Sequence, residues 1–209
     1  MPLDNRPPRV LPNLISTESP AWPVAPHRER PKRAQSKKPR QTRFGFVEKP
    51  RQPRNPLMPA VTIYTDGACS PNPGPGGWGA LLVFVSPTTG EIHEREISGH
   101  DPKTTNNRME MMAAIVAIES LTKICAVEVV TDSQLLQKGA SAWIHNWRRK
   151  GFSRKNGVPM LNADLWRRLD EAMGRHEVRW TWVRGHNGHV ENERVDRLAV
   201  AARYGKVCR

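Results

Sequence analysis

A chain of 209 residues, with 33 Lys and Arg against 20 Asp and Glu, is long enough for one ordinary domain plus additional sequence. Its net charge of +13 and its pI of about 10.4 favour a polyanionic partner, most often a nucleic acid, over a generic basic protein with a solvated surface. No run of residues approaches a membrane-spanning helix, no apolar leader opens the chain, and the three cysteines form neither a CxxC pair nor a zinc spacing. We therefore expect a cytoplasmic protein with reduced thiols and no membrane contact.

The first 58 residues differ in composition from the rest. They hold 13 Lys and Arg against 4 Asp and Glu, so they carry +9 of the net charge of +13. Proline recurs from Pro2 to Pro56, which opposes regular helices and sheets, and few apolar residues remain to build a core. We predict a disordered tail over 1–58 and a folded domain over 59–206. The basic run 28–43 is either a nucleic-acid-binding arm or a solvated, charge-repelled tail, and Met58 is an alternative start.

From Val61 onward the pattern becomes that of a folded domain. Alternating and β-branched apolar runs predict five strands, with a Gly/Pro-rich turn between the first two and a hairpin turn between the second and third. The predicted strands are 61–65, 78–85, 91–98, 127–131 and 178–183.

Helical periodicity predicts the remaining elements. The segment 104–118 is apolar on nearly every side, as is typical of a buried helix. The other predicted helices are a short one from Ser133, then 141–147, 161–173 (with Leu161, Leu165 and Leu169 in one stripe) and 192–204. Three hairpin-linked strands, followed by strands that alternate with helices, predict an α/β fold: a five-stranded mixed sheet with helices on both faces.

One carboxylate is misplaced for a buried helix. Glu110 shares its face with Ala113, Ala114 and Ala117 at helical spacing. An ionised carboxylate on such a face is costly unless a cation or a hydrogen-bond donor meets it. Capping would place Glu110 on the solvated side, so a ligand role explains it better.

Three aspartates lie where they could join Glu110. Asp66 ends the first predicted strand and Asp132 the fourth, and ligands of open α/β sheets bind outside the carboxyl ends of strands. Asp196 lies in the last helix, beside Ala199 and four residues before Val200, and would face inward.

Each aspartate also has a structural alternative. Asp66 could be a turn residue, Asp132 could cap a helix, and Asp196 could pair with Arg194 or Arg197. Four carboxylates at these positions are nevertheless better explained as one site. Because they repel one another, a cation must bind them, and hard oxygen ligands suit Mg²⁺ or Mn²⁺. Two such ions, roughly 3.5–4 Å apart, clamp the attacking and leaving oxygens of a phosphodiester.

Five motifs, in order over about residues 60–203, resemble the bacterial type 1 ribonuclease H family. They are 65–69, 72–80, 104–110, 131–134 and 182–196. The resemblance implies a ribonuclease H-like fold and a monomer that hydrolyses the RNA strand of RNA–DNA hybrids, leaving 5′-phosphate and 3′-hydroxyl ends. It also implies two Mg²⁺ ions per active site during turnover, with Mn²⁺ as a substitute.

The resemblance assigns catalytic roles to five residues. Asp66, Glu110, Asp132 and Asp196 match the metal-binding carboxylates of the family, and His186 matches a histidine on a mobile loop that shuttles protons or helps the product leave. Glycines flank His186, which would let the loop move, and imidazole titrates near physiological pH. The alternative for His186 is an ordinary surface histidine.

Further positions match family contacts to the hybrid. They are Cys69, Asn72, Thr105, Asn106, Asn107, Gln134, Trp143, Arg148, Arg149 and Lys150. Amides and hydroxyls suit a minor groove lined by 2′-hydroxyls, and the basic segment 143–155 would supply phosphate contacts without sequence choice. The alternatives are that Asn106 and Asn107 cap the helix, and that Trp143 and Trp147 pack the base of the segment.

Three other functions compete with this one. A transposase- or integrase-type nuclease would cut DNA, but it usually lacks the asparagine pair and the basic segment. A binding-only relative would have lost carboxylates, and all four are present. In a third alternative, the protein binds nucleic acid and the basic tail is itself the active part.

Overall fold

Five strands form one mixed sheet in a computed structural model that describes residues 58–86 and 88–207. The predicted tail lies outside the described residues except for Met58, as does Cys208. The strands are β1 (Ala60–Cys69), β2 (Gly74–Val85), β3 (Ile92–Thr104), β4 (Ala126–Thr131) and β5 (Glu177–Trp182).

The strand order is β3-β2-β1-β4-β5. β2 pairs antiparallel with both β1 and β3, whereas β4 pairs parallel with both β1 and β5. The sheet therefore changes from antiparallel to parallel pairing at β1, which confirms the predicted mixed sheet.

Helices cover both faces of the sheet. They are α1 (Asn106–Glu119), α2 (Gln134–Lys138), a π-helical turn (Gly139–Trp143), α3 (Ile144–Arg149), α4 (Ala163–Met173) and α5 (Val190–Arg203). The glycines of β2 show which helix lies on which face. A side chain on Gly76 would meet Met109 of α1, whereas one on the next residue, Gly77, would meet Ala199 of α5. Because neighbouring side chains point to opposite faces of a strand, α1 and α5 lie on opposite sides.

The apolar helix forms the centre of the core, as predicted. Seven α1 residues from Met109 to Ile118 are buried, and α1 packs between the sheet and α4. Leu165, Trp166 and Leu169 form the buried face of α4. Within the described residues, no helix has the length and apolar character needed to cross a membrane.

Several predicted boundaries were wrong. β2 begins at Gly74, inside the predicted turn, because a glycine-rich strand can still pair through its backbone while helices approach closely on both faces. The helix predicted at 141–147 is a π-helical turn followed by α3. Leu161 is not part of the α4 stripe: it precedes the helix and is 70% exposed.

Candidate active site

The register of two parallel strands brings Asp66 and Asp132 together. Thr65 of β1 lies opposite Thr131 of β4, so the two residues that follow them are neighbours. Asp66 is buried, and its Oδ1 accepts a hydrogen bond of 2.7 Å from the backbone N–H of Gly67. The prediction that Asp66 ends its strand was wrong, because β1 continues to Cys69 and Asp66 pairs with Gly79 inside it.

Glu110 reaches the same place because α1 lies almost directly on β1. A Cβ on Gly67 would sit only 2.3 Å from the backbone nitrogen of Glu110. The Oε1 of Glu110 accepts a 2.9 Å hydrogen bond from the Asn106 side chain, whereas its Oε2 is buried and has no hydrogen-bond partner. A buried carboxylate oxygen without a donor is costly, and a bound cation would satisfy it.

Asp196 joins the group from the opposite face, on α5. Its negative charge contributes to the raised pKa of Asp66, so the two carboxylates interact electrostatically. The argument that it faces inward together with Val200 was wrong, because Val200 is 38% exposed while Ala199 is buried. Pairing with Arg194 is not seen either, since Arg194 binds Glu94 at 2.6 Å and also Glu96.

Burial and neighbouring negative charges raise the pKa values of two of these carboxylates. Burial, followed by the negative charge of Asp132, raises the pKa of Asp66 to about 8, and Asp196 and Glu110 add to the effect. Burial also raises the pKa of Glu110 to about 7, although the polar groups of Ser133 and Asn106 oppose it. A bound cation would therefore stabilise the ionised form of these carboxylates.

The donor set fits a hard divalent cation. Four carboxylates supply only oxygen ligands, and a buried Glu110 oxygen has no other partner. Among the described residues, however, no three His, Cys, Asp or Glu side chains converge tightly enough to form a ready-made metal site.

The residue after Asp132 is the helix cap. Ser133 is the N-cap of α2, and its hydroxyl accepts a 3.4 Å hydrogen bond from the Leu136 N–H. The capping alternative for Asp132 is therefore wrong. Sequence reasoning missed the buried Asn192, whose Nδ2 lies 3.5 Å from the Asp132 Oδ2. A single asparagine in the first turn of α5 gave no signal of this contact.

The loop that carries His186 adjoins Asp132. His186 is exposed and has a left-handed backbone (φ 52°), as does Gly188 (φ 78°). A Cβ on Gly185 would lie 2.5 Å from the Asp132 Oδ2, so the loop begins directly against that carboxylate. His189, which the sequence also placed in this loop, is the N-cap of α5, with no capping bond from its side chain.

The predicted hybrid contacts near α1 lie together. The N–H of Asn106 donates to the Asn72 side chain at 3.3 Å, which links the β1–β2 connection to the start of α1. Thr105 occupies the N-cap position without a side-chain capping bond, and Asn106 and Asn107 are already helical. The capping alternative for the two asparagines is therefore wrong. Cys69 is half-buried, with its Sγ 3.3 Å from the Pro71 carbonyl.

The basic segment lies on a second part of the surface. Arg149 and Lys150 are exposed, and so are Arg154 and Lys155; Gln134, on α2, is also exposed and accepts a hydrogen bond from Lys138. Trp143 is 41% exposed, whereas Trp147 packs against the buried Trp166 with ring centroids 4.8 Å apart.

Arg148 differs from its neighbours because a carboxylate already binds it. Its Nε donates to the Asp170 Oδ2 at 2.6 Å, and its Nη2 donates to Oδ1. The guanidinium therefore holds α3 to α4 in this structure.

The class that this fold and site define is an α/β enzyme with clustered acidic residues, and comparison with known proteins identifies the family. The family model for RNase H matches residues 58–204. A ribonuclease H from Nitrobacter hamburgensis is 57% identical over 142 residues, which cover 68% of this chain and 90% of that protein. One from Cupriavidus metallidurans is 54% identical, over 68% of this chain and 94% of that protein.

A solved structure agrees with these relatives. LC9-RNase H1, described as a type 1 RNase H with the type 2 active-site motif, matches with a TM-score of 0.66 and 35% identity, over 72% of this chain and 75% of that one. The chain belongs to the ribonuclease H family, and the predicted resemblance to its type 1 members is confirmed. It is a ribonuclease H enzyme.

Proposed function

We propose that the protein is an endonuclease that hydrolyses the RNA strand of RNA–DNA hybrids with two divalent cations, leaving 5′-phosphate and 3′-hydroxyl ends. The observation that carries the proposal is the mutual electrostatic influence of Asp66 in β1, Asp132 just after β4, Glu110 in α1 and Asp196 in α5, with a buried Glu110 oxygen that lacks a partner. Structural alternatives for single residues do not explain why all four carboxylates meet.

The carboxylates would hold the cations in two sets that share Asp66. Asp66 and Asp132 would hold one, and Asp66 and Glu110, with help from Asp196, the other. When bound, such a pair of ions activates a water and stabilises the leaving 3′ oxygen. We expect Mg²⁺, with Mn²⁺ as a substitute, because both prefer oxygen ligands.

The chain's other residues would orient the substrate and move a proton. Asn72, Asn106 and Asn107, at the joined start of α1, present amides suited to the minor groove of a hybrid. Arg149 and Lys150 would bind backbone phosphate from the second surface. His186, exposed on the loop beside Asp132, would take up or release a proton during turnover. A foamy viral protease-reverse transcriptase solved with an RNA/DNA hybrid shares the fold at a TM-score of 0.61.

The test compares three labelled duplexes: RNA–DNA hybrid, RNA–RNA and DNA–DNA, each with Mg²⁺ or with chelator. We expect cleavage of RNA in the hybrid alone and only with metal, and ligation of the fragments should reveal the 5′-phosphate and 3′-hydroxyl ends. Cleavage of the DNA duplex would instead indicate the transposase-type alternative. Light scattering tests the monomer that the family resemblance implies.

The Asp132→Asn variant tests the metal assignment. It keeps the size of the side chain and removes its charge, so we expect folding and hybrid binding to persist while cleavage falls by several orders of magnitude. Near-normal cleavage by this variant would overturn the assignment of Asp132 as a metal ligand.

A further inference from the structure

Three elements that sequence reasoning did not connect meet around Asp132. Trp182, the last residue of β5, donates from Nε1 to the Asp132 backbone carbonyl at 2.9 Å. Gly185, in the following loop, approaches the Oδ2 of the carboxylate, and Asn192, in the first turn of α5, lies near the same oxygen. The residue that follows β4 is thus enclosed by β5, a loop and α5.

Gly185 leaves room for the carboxylate. The three atoms nearest to a Cβ there all belong to Asp132: Oδ2 at 2.5 Å, Cγ at 3.3 Å and Cβ at 3.5 Å. The backbone of Gly185 is not in the left-handed region, so an alanine would be tolerated by the backbone itself. A methyl group at this position would act on one side chain, by turning the Asp132 carboxylate away from its present direction.

Asn192 supplies a hydrogen-bond donor to the Asp132 carboxylate. It is 3% exposed, and its Nδ2 lies 3.5 Å from the same Oδ2, a long contact of the kind that tightens when a ligand binds. Its Oδ1 is buried and has no hydrogen-bond partner, which is costly for a purely structural residue. A free acceptor beside Asp132 suits a residue whose full set of partners forms only when the site is loaded.

We propose that Gly185 and Asn192 are positioning residues that fix the direction of the Asp132 carboxylate, Gly185 through the space it leaves and Asn192 through its amide. This inference rests on the proposed function of Asp132 as a metal ligand. Groups that orient a ligand typically affect metal affinity or activity by about 10–100-fold.

The experiment measures metal binding without nucleic acid. Thermal unfolding is followed across a Mg²⁺ titration for the wild type, Gly185→Ala and Asn192→Leu, the last of which keeps the volume and removes the donor. We expect Mg²⁺ to stabilise the wild type, and both variants to need about 10-fold more Mg²⁺ for half of the effect. Hybrid cleavage should show a matching fall in kcat with little change in KM.

Two controls match these variants. Gly174→Ala adds the same methyl group at the end of α4, where the nearest atom is 3.3 Å away. Thr181→Val removes a polar group that hydrogen-bonds to Glu128, not to Asp132. Both should keep the wild-type Mg²⁺ dependence.

The outcomes separate this inference from the function on which it rests. If the wild type cleaves hybrids and binds Mg²⁺, but both variants keep its half-saturation within twofold or change only KM, the positioning role is wrong and the function stands. If Mg²⁺ neither stabilises the wild type nor supports its cleavage, the proposed function fails and the inference fails with it.

Discussion

At the scale of residues, Asp66 is the carboxylate on which the negative charges of the other three act. It lies inside β1, buried, with Asp132 beside it and Asp196 and Glu110 nearby, and its pKa is raised to about 8. Each unit of pKa shift corresponds to about 1.4 kcal/mol between the two protonation states. The metal-free protein therefore folds at some cost whenever Asp66 is ionised.

Replacing Asp66 with asparagine should stabilise the metal-free protein. The folded-state pKa of Asp66 lies above its unfolded value, so its stabilising contribution is fully present below about pH 4 and is lost as pH rises through about 8. In chelator, wild-type stability should fall over this window, and Asp66→Asn should flatten that fall and be more stable than the wild type by several kcal/mol near pH 8. Urea unfolding at several pH values measures this; an equally steep fall in the variant would contradict it.

The sequence predicted the acidic residues of the site but not the residues that position Asp132. Glu110 was visible because a carboxylate interrupts an apolar helix, and Asp132 because it follows a β-branched run. Asn192 and Gly185 act through contacts between elements far apart in the chain, and nothing in their own neighbourhoods indicates those contacts.

At the scale of elements, the two arginines of α3 have different partners. Arg148 binds Asp170 of α4 through two hydrogen bonds, whereas Arg149 is exposed and its guanidinium meets only the Asn146 side chain at 3.5 Å among the described contacts. Both are equally basic in the sequence. Only the position of Asp170, 22 residues away, distinguishes them.

We expect Arg149→Ala to affect hybrid binding more than Arg148→Ala. Each lost phosphate contact should reduce the slope of log affinity against log salt by about 0.9. Arg149→Ala should show this reduction, and Arg148→Ala a smaller one, because Asp170 already neutralises its guanidinium. Hybrid binding at several salt concentrations measures both slopes, and a larger change for Arg148→Ala would show that Arg148 leaves Asp170 to bind phosphate.

The same scale shows where local rules failed. Glycine and proline predict a turn between the first two strands, yet β2 begins at Gly74, inside that segment. The glycines there leave room for helices on the two faces, a demand set by packing and invisible to a local pattern. The order of strands and helices, by contrast, was predictable, because hydrophobic periodicity extends over whole elements.

At the scale of the whole molecule, charge is unevenly divided. Residues 1–58 carry +9, which leaves +4 of the total of +13 for the remainder. The family match begins at residue 58, so the most basic part of the chain precedes the matched region. We propose that this part adds non-specific contact with nucleic acid.

Deleting residues 1–57 tests whether this basic part of the chain adds nucleic-acid affinity. We expect the shortened protein to keep its kcat on hybrid substrate, with a higher KM at low salt, because the tail adds electrostatic affinity and no chemistry. The difference from the full chain should vanish as salt is raised. Steady-state kinetics across a salt series measures this, and loss of kcat on deletion would support the alternative in which the tail is the active part.

The position of β5 at an edge of the sheet affects how the enzyme loses activity on warming. Within the described residues, this six-residue strand pairs only with β4, and it carries the Trp182 side chain that holds the Asp132 carbonyl. Edge strands open at a lower free-energy cost than central ones. We expect β5 amides to exchange with solvent sooner than those of β1, so that heat would disable the catalytic centre while most of the sheet is still folded.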